Sequence, residues 1–477
     1  MAAHYAEIRQ DDAWYAGDRR RLARYYTHAP EQRRSLWGRR SVDHTPRRDQ
    51  RLHVPLPGDI ASTSADLLFA DMPTITVTST ATQDRLNELV EQGRVHSALL
   101  SGAEQAAALS GVYLRVTWDR TMANRPLLTV VQPDAAVPEW RWGMLRAVTF
   151  WRELSGSTAQ TVYRHLERHE PGTITHALYE GTADTIGRPI PLTENPETAD
   201  LADSLDADGN GQTISTGIEE LTAAYVPNML PNRAHRGAPI GRSDYAAPLH
   251  DLFASLDEAW SSWMRDIRLA RARLIVPSGY LRDDGPGNGS SFDEDRELWS
   301  PVNMPPNEAN GITLSQFAIR VDEHQRTTEA ITRQAAQSAG YSAQSFGLDG
   351  GGQPITATES DSRDARSMVT RKKKVGYWRY PLADMLHVML LIDKAQGFNP
   401  ATMPERPRVE FGDGVAESEQ STATTLDLLN RAGAVSAATK VKILHPDWDD
   451  TKVQAEAAAI LAETGAAAPD PGSTYPM

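Results

Sequence analysis

Residues 243–276 read SDYAAPLHDLFASLDEAWSSWMRDIRLARARLIV. Leu249, Leu252, Phe253, Leu256, Trp260, Trp263, Met264, Ile267 and Leu274 recur at three- and four-residue spacing, the period of one helix face. Ser243 is a residue type that caps helix N-termini, and Pro248 is tolerated in a first turn. A helix over 244–276 is therefore predicted, about 50 Å long at a rise of roughly 1.5 Å per residue, with Pro277 as its stop. After it the insert DDGPGNGSS at 283–291 is turn-forming, and a second helix is expected over 322–339. Two long helices bracketing an acidic, Gly/Pro-rich insert build a wall rather than a pocket. That points to an assembly protein.

Outward from this stretch, Gln344, Phe346, Gly347, Asp349, Gly350, Gly351, Gly352 and Gln353 form a glycine-rich loop. Thr356-Ala-Thr-Glu359 is a capping-box pattern that opens a long helix. Pro381 should kink that helix near Arg379 without ending it, because apolar spacing resumes at Leu382, Met385, Leu386 and Met389. A strand at 408–411 and short helices at 421–432, 437–444 and 450–464 follow. Towards the N-terminus, the first hundred residues read as mostly helical, with breaks at Pro46, Pro55, Pro57 and Pro73. From Gly111 the texture turns β-branched and alternating, and strands are expected at 112–118, 127–131, 147–152, 160–167 and 174–179. These make an antiparallel sheet that ends in the acidic segment 191–217. The fold class is α+β, predominantly helical.

At 477 residues with 40% hydrophobic content, the chain has ample material for real cores. It contains no cysteine, which removes disulfides, thiolate catalysis and thiolate metal sites together. Lys and Arg number 49 against 63 Asp and Glu, a net −14, so the protein as a whole repels nucleic acid and lacks the footprint of a sequence-reading DNA binder. The charge is unevenly spread: twelve arginines face seven acids over 1–51, and 191–224 holds eight acids and no Lys or Arg. Charges at Glu7, Arg9, Asp11 and Asp12 leave no room for a signal-peptide core. The most apolar run, 385–392, is too short to cross a bilayer, so no membrane partner is expected.

Several motifs come close to a chemistry and stop short. Asp206-Ala-Asp208-Gly-Asn210-Gly211 matches the front of an EF-hand loop, but its twelfth position is Gly217 rather than a bidentate carboxylate. His165-Leu-Glu-Arg-His169 has the spacing of a zincin helix with Glu in the wrong place, and it reads as a surface pair on a strand. Around Gly347 to Gly352, Gln353 and Pro354 stand where a phosphate-binding loop needs Lys and Ser/Thr. Arg371-Lys-Lys-Lys374 is too short to form a stripe and reads as a solvated helix face. Trp260 and Trp263 read as packing anchors. No catalytic residue, cofactor or metal set is expected.

With these residues laid out, the chain resembles the portal proteins of tailed bacteriophages, particularly the siphovirus-type portals of phages infecting actinobacteria. The likeness rests on Arg51-Leu-His-Val-Pro55 with Gly58-Asp-Ile60, Ser64-Ala-Asp-Leu-Leu-Phe69, Gly111-Val-Tyr-Leu114 and Thr175-His-Ala-Leu-Tyr-Glu-Gly181. It continues through Pro227-Asn228, Gly241-Arg-Ser-Asp244, Asp322-Glu-His324, Thr356-Ala-Thr-Glu359, Tyr377-Trp378 and His445-Pro-Asp-Trp448. Ser360 departs from the branched aliphatic residue expected after the Thr-Ala-Thr-Glu block. The resemblance implies a homo-oligomeric ring, typically of twelve copies, at one capsid vertex. Such a ring passes double-stranded DNA without sequence specificity. It docks the terminase large subunit and later the head–tail connector, and it meets major capsid and scaffolding proteins. It also implies residence in the virion, with assembly in the host cytoplasm.

Carried onto this sequence, the resemblance makes 1–242 the wing, 243–276 the first stem helix, 277–319 the clip and 320–343 the second stem helix. Residues 344–355 become the tunnel loop, 356–410 a long kinked wing helix with its strand, and 411–477 the crown. Leu252, Phe253, Leu256, Trp260, Trp263 and Ile267 are then stem packing residues. Asp283, Asp284, Asp293, Glu294 and Asp295 are candidates for partner docking at the clip, and the loop residues from Gln344 to Gln353 for the DNA channel. Two rival readings are an α+β enzyme of hydrolase type and a capsid or adaptor protein without a channel. The mass of the purified protein separates them from a ring.

Overall fold

The computed structural model describes residues 2–26, 51–202, 205, 212–246, 249–270, 273–275, 282–283, 290–291, 313–315, 319–348, 357–412, 426–432, 435–445 and 448–463. The chain divides into two compact units, residues 1–353 with 363–411, and residues 354–362 with 412–477. Helices α1 (Ala2–Ala16), α2 (Arg19–Leu22) and α3 (Leu56–Phe69) open it, followed by strand β1 (Thr74–Thr76), α4 (Thr80–Gln92) and α5 (Val95–Leu109). Strands β2 (Gly111–Thr117), β3 (Leu127–Val131), β4 (Ala136–Arg141), β5 (Met144–Glu153), β6 (Val162–Glu170), β7 (Thr173–Gly181) and β8 (Arg188–Ile190) come next. Then follow α6 (Pro196–Ala202), β9 (Thr213–Ser215), β10 (Ala223–Pro227) and α7 (Leu249–Leu269). Short strands β11 (Arg273–Ile275), β12 (Arg282–Asp283), β13 (Ser290–Ser291) and β14 (Thr313–Ser315) precede α8 (Val321–Ala339). Last come α9 (Ala357–Ala395), β15 (Arg408–Glu410), α10 (Ala437–Leu444) and α11 (Asp450–Glu463).

The strands form two main sheets, both antiparallel. One has the order β10-β2-β3; the other runs β4-β5-β6-β7-β8, with β9 also paired to β7. β1 and β15 join in register Ile75 to Val409 and tie the early chain to the segment after α9.

The local sequence explains the helices that cover these sheets. Pro57 sits in the first turn of α3, and Ile60, Ala61, Ser64, Ala65 and Leu68 fall on its buried face. α4 is capped by Ser79, whose Oγ accepts from the Thr82 N–H at 3.5 Å. α5 lies close on β3: a Cβ at Gly102 would stand 2.9 Å from a Val130 methyl, so only glycine permits that approach. The main core joins α3, α4, α5, β2 and the last half of α9. Within it Phe69 meets Trp378 edge to face at 4.9 Å, worth about 0.5–1.5 kcal/mol beyond area burial. A second core gathers Trp14 and Leu22 with Ile60, Tyr245, Phe253, Leu256, Ala335 and Tyr341.

Several sequence expectations hold: the strands at 112–118 and 127–131, the helix at 322–339, and helix continuing through Pro381. α9 starts at Ala357, one residue after the expected cap. Other expectations are corrected. The helix expected over 244–276 is α7, 21 residues or about 32 Å long. Its expected end is instead strand β11, paired with β14 so that Arg273 faces Ser315 and Ile275 faces Thr313; the ladder takes the backbone hydrogen bonds a helix would have used. Ser243 does not cap α7. Its Oγ donates to the Ala108 carbonyl at 2.7 Å and accepts from the Tyr245 N–H at 2.9 Å, which holds a turn before the helix. The acidic segment near 191–217 is not all loop, since it contains α6 and β9. The EF-hand-like residues 206–211 lie outside the described residues. Among the described residues, no helix is long and apolar enough to cross a membrane.

Candidate functional site

α7 and α8 pack side by side, running in opposite directions. Phe253 and Leu256 of α7 share a core with Ala335 and Ala339 at the end of α8. At the other end, Asp266 Oδ2 of α7 accepts from Arg320 and from His324 Nε2, both at 2.9 Å. Between these ends Trp260 lies 5.1 Å from Trp263, and Trp263 stacks on His324 at 5.9 Å and 7°. Both tryptophans are half-buried. Of the remaining stripe, Phe253 and Leu256 are buried, Leu252 is half-buried and Ile267 is 40% exposed.

The outer face of α7 is strapped by an earlier segment. The Asp257 carboxylate accepts from Tyr26 at 2.6 Å and from the Val54 N–H at 2.8 Å, and it lies 3.0 Å from His53 Nδ1. Ser261 Oγ accepts from the Leu52 N–H at 2.8 Å. Residues 51–54 thus lie across the helix, with a buried carboxylate as their fastening.

The two helices share one root. Asp244, just before α7, presents Oδ2 to Lys374 Nζ at 2.6 Å and to the Tyr341 hydroxyl at 2.7 Å; its Oδ1 accepts from Asn228 Nδ2 at 2.8 Å. Lys374 also donates to Ser64 Oγ at 2.7 Å. Burial pushes the Lys374 ammonium below the usual lysine range, against the pull of Asp244. Burial also raises Tyr341 well above an ordinary phenol, and Asp244 beside it adds to the shift. The Arg371 to Lys374 run is therefore not one solvated face. Lys372 and Lys373 are exposed, Arg371 Nε donates to the Leu67 carbonyl at 2.6 Å, and Lys374 is buried. Four residues cover more than a full helical turn, so one of them has to point inward.

Beyond Tyr341, hydroxyls tie the chain to α9. Gly340 closes α8 at φ 104°, and Thr370 Oγ1 donates to its carbonyl at 2.6 Å. Ser367 Oγ accepts from the Ser342 N–H at 2.9 Å and lies 3.1 Å from Ser345 Oγ. Of the expected loop residues, Gln344 and Phe346 lie in a single 3₁₀ turn, and Gly347 follows at φ 68°. Phe346 is half-buried against Tyr341, 6.4 Å away. Asp349, Gly350, Gly351, Gly352 and Gln353 lie outside the described residues, as do Asp284, Asp293, Glu294 and Asp295. Asp283 is placed by its backbone alone, opposite Ser290 in the β12–β13 ladder.

The histidine motif is a correction. His165 and His169 lie on β6 with Glu167 between them, and all three are buried. Residues two apart on a strand share a face, and here that face is the inner one. His165 Nε2 lies 3.1 Å from His176 Nδ1; His169 bridges Glu167 at 2.9 Å and Thr222 at 2.6 Å. Burial, with the His176 ring beside it, pushes His165 down to about 4. Burial would raise the Glu167 carboxyl, but Arg115 at 2.5 Å and His169 hold it well below the usual carboxylate range. This is a satisfied internal network in the sheet.

The described residues thus form an α+β body that carries an antiparallel helix pair on one buried root. The chain belongs to the phage portal protein family, described as SPP1 Gp6-like, whose pattern it matches over residues 1–470. Portal proteins are structural, non-enzymatic components of the phage particle. Solved structures similar to the chain include the virion of a native gene transfer agent particle, at 12% identity and TM-score 0.40. The neck of the native particle computed with C12 symmetry matches at 13% and 0.44, and the neck of the empty particle with C6 symmetry at 12% and 0.40. Each match covers 82% of this chain and 89% of the other. No curated protein matches the sequence.

Proposed function

We propose that this portal protein closes into a ring of twelve copies around a channel for double-stranded DNA, at one vertex of the virion, after assembly in the host cytoplasm. α7 and α8 are the stem, 277–319 the clip, 344–355 the tunnel loop, 411–477 the crown, and 1–242 with 356–410 the wing. The terminase large subunit docks at the clip during packaging and the head–tail connector afterwards, while major capsid and scaffolding proteins meet the wing.

One observation carries this reading. Both helices of the pair are fastened to Lys374 at one end, through Asp244 and Tyr341, and the chain that joins their other ends is the segment we assign to the clip. Ile267, Leu269 and Val321 are 40%, 42% and 44% exposed near that end, and lateral contact with a neighbouring copy would cover them. The net charge of −14 becomes 12 × −14 = −168 for a ring, which suits a lumen that DNA slides through without sticking.

The test is the mass and image of the purified full chain. Twelve copies of 52.4 kDa make 12 × 52.4 ≈ 629 kDa, and electron microscopy should show closed rings; a stable 52.4 kDa monomer under the conditions of assembly overturns the proposal. Deleting Gly350, Gly351 and Gly352 should leave rings intact and lower the DNA retained per particle. Loss of the ring itself would remove the tunnel assignment.

A further inference from the structure

Away from the helix pair, the first turns of α1 meet the segment 231–241. His4 and Glu7, three residues apart, share one face of α1. His235 is laid over them by a turn in which Asn232 Oδ1 accepts from the N–H groups of Ala234 at 3.0 Å and His235 at 3.1 Å. Asn232 Nδ2 donates to the Gly241 carbonyl at 2.6 Å and closes the segment. Nothing in the sequence pairs these positions, since 228 residues separate Glu7 from His235.

The three side chains converge. His235 Nε2 lies 2.9 Å from Glu7 Oε2, and His4 Nδ1 lies 3.8 Å from the same oxygen. One ligand atom from each residue falls within 4.8 Å of the other two. Tetrahedral zinc with ligands at roughly 2.0–2.1 Å holds neighbouring donors about 3.3 Å apart, inside the range found here. His4 is 4% exposed, its Nε2 lies 3.3 Å from Ser110 Oγ, and its Nδ1 has no hydrogen-bond partner. With Nε2–H donating to Ser110, Nδ1 turns a buried lone pair towards Glu7 and His235, the outer-shell arrangement that orients metal-bound histidines. The Glu7 side chain is 46% exposed, which gives an ion a path in and leaves a coordination position for water.

We propose that His4, Glu7 and His235 form a binding site for a divalent transition-metal cation of the zinc type. Two imidazoles and one carboxylate suit such an ion better than magnesium or calcium, which take oxygen donors. A bound ion would occupy the lone pair that His4 Nδ1 leaves unused. It would also staple α1 to the segment that leads through Gly241 to Asp244.

The test uses the untagged full-length chain, stripped with a chelator and titrated with ZnCl2 by calorimetry. About one zinc per chain is expected, together with a higher melting temperature. CoCl2 in its place should give visible absorption bands of a low-symmetry, imidazole-ligated ion. His235→Gln, at a half-exposed position, should weaken zinc binding about tenfold or more while the metal-free melting temperature stays at the parent value; Glu7→Gln should act in the same direction. Absence of zinc binding by the parent chain overturns the site. So does binding that His235→Gln and His4→Gln both leave undiminished.

Discussion

At the root of the α7–α8 pair, Lys374 and Asp244 face each other with 2% of each side chain exposed; at the other end, Asp266 and Arg320 meet with 26% and 68% exposed. Distances differ little, 2.6 Å against 2.9 Å, so geometry alone does not separate the two pairs. Solvent does. A buried charge that loses its partner has no water to turn to, whereas an exposed one is rehydrated at little cost. The root therefore fixes where the pair starts, and the far end is free to trade its contacts for those of another chain.

The comparison breaks most readily at Lys374. Lys374→Met should lower the stability of the full chain by about 3–5 kcal/mol in urea denaturation, because it strands the Asp244 carboxylate in the core. A loss similar to that of a surface lysine would mean that the root is hydrated after all.

Acid tests the contrast from outside the helix pair. The unfolded chain protonates His165 near pH 6.5, and the folded chain only near 4. Between those values the unfolded state holds more protons, so stability falls as pH drops through that window, by roughly 3 kcal/mol for this one group. Urea midpoints measured across the window should show that slope. His165→Gln should make it shallower by about that amount, leaving the part due to His4, which burial also pushes down to about 4, and Lys374→Met should leave it in place. A slope that His165→Gln leaves unchanged places the acid-sensitive step elsewhere.

The smallest effect is expected at the far end. The hydrogen bonds from His324 and Arg320 hold the Asp266 carboxyl below its ordinary range. Even so, Asp266→Asn should leave the melting temperature within error. A drop close to that of Lys374→Met would erase the distinction between the two ends.

The sequence made some of this visible and hid the rest for identifiable reasons. β2 and β3 were legible because β-branched and other apolar residues fill them, and α8 consists mostly of strong helix formers such as Glu, Gln, Arg and Ala. β4, β8 and β10 each contain a proline (Pro138, Pro189, Pro227), which weakens a strand signal. Ser243 carried a true capping signal, but the carbonyl of Ala108 in a distant helix end claimed its hydroxyl. The root was illegible because its members Ser64, Asn228, Asp244, Tyr341 and Lys374 come from five separate places in the chain, and each is unremarkable in its own neighbourhood. His165 and His169 pointed inward because the strand's partner network, not their polarity, decided which face was covered.

The hydrogen bond from Tyr341 to Asp244 spans 97 positions of chain in 2.7 Å. The chain that runs out along α7 returns along α8 to the place it left, which is the geometric condition for a tolerated domain insertion. The exchangeable cartridge is then only the part beyond Asp266 and Arg320. A hybrid that replaces it with that of another phage must keep α7 and α8, because Phe253, Leu256, Asp257 and Ala335 pack into the body.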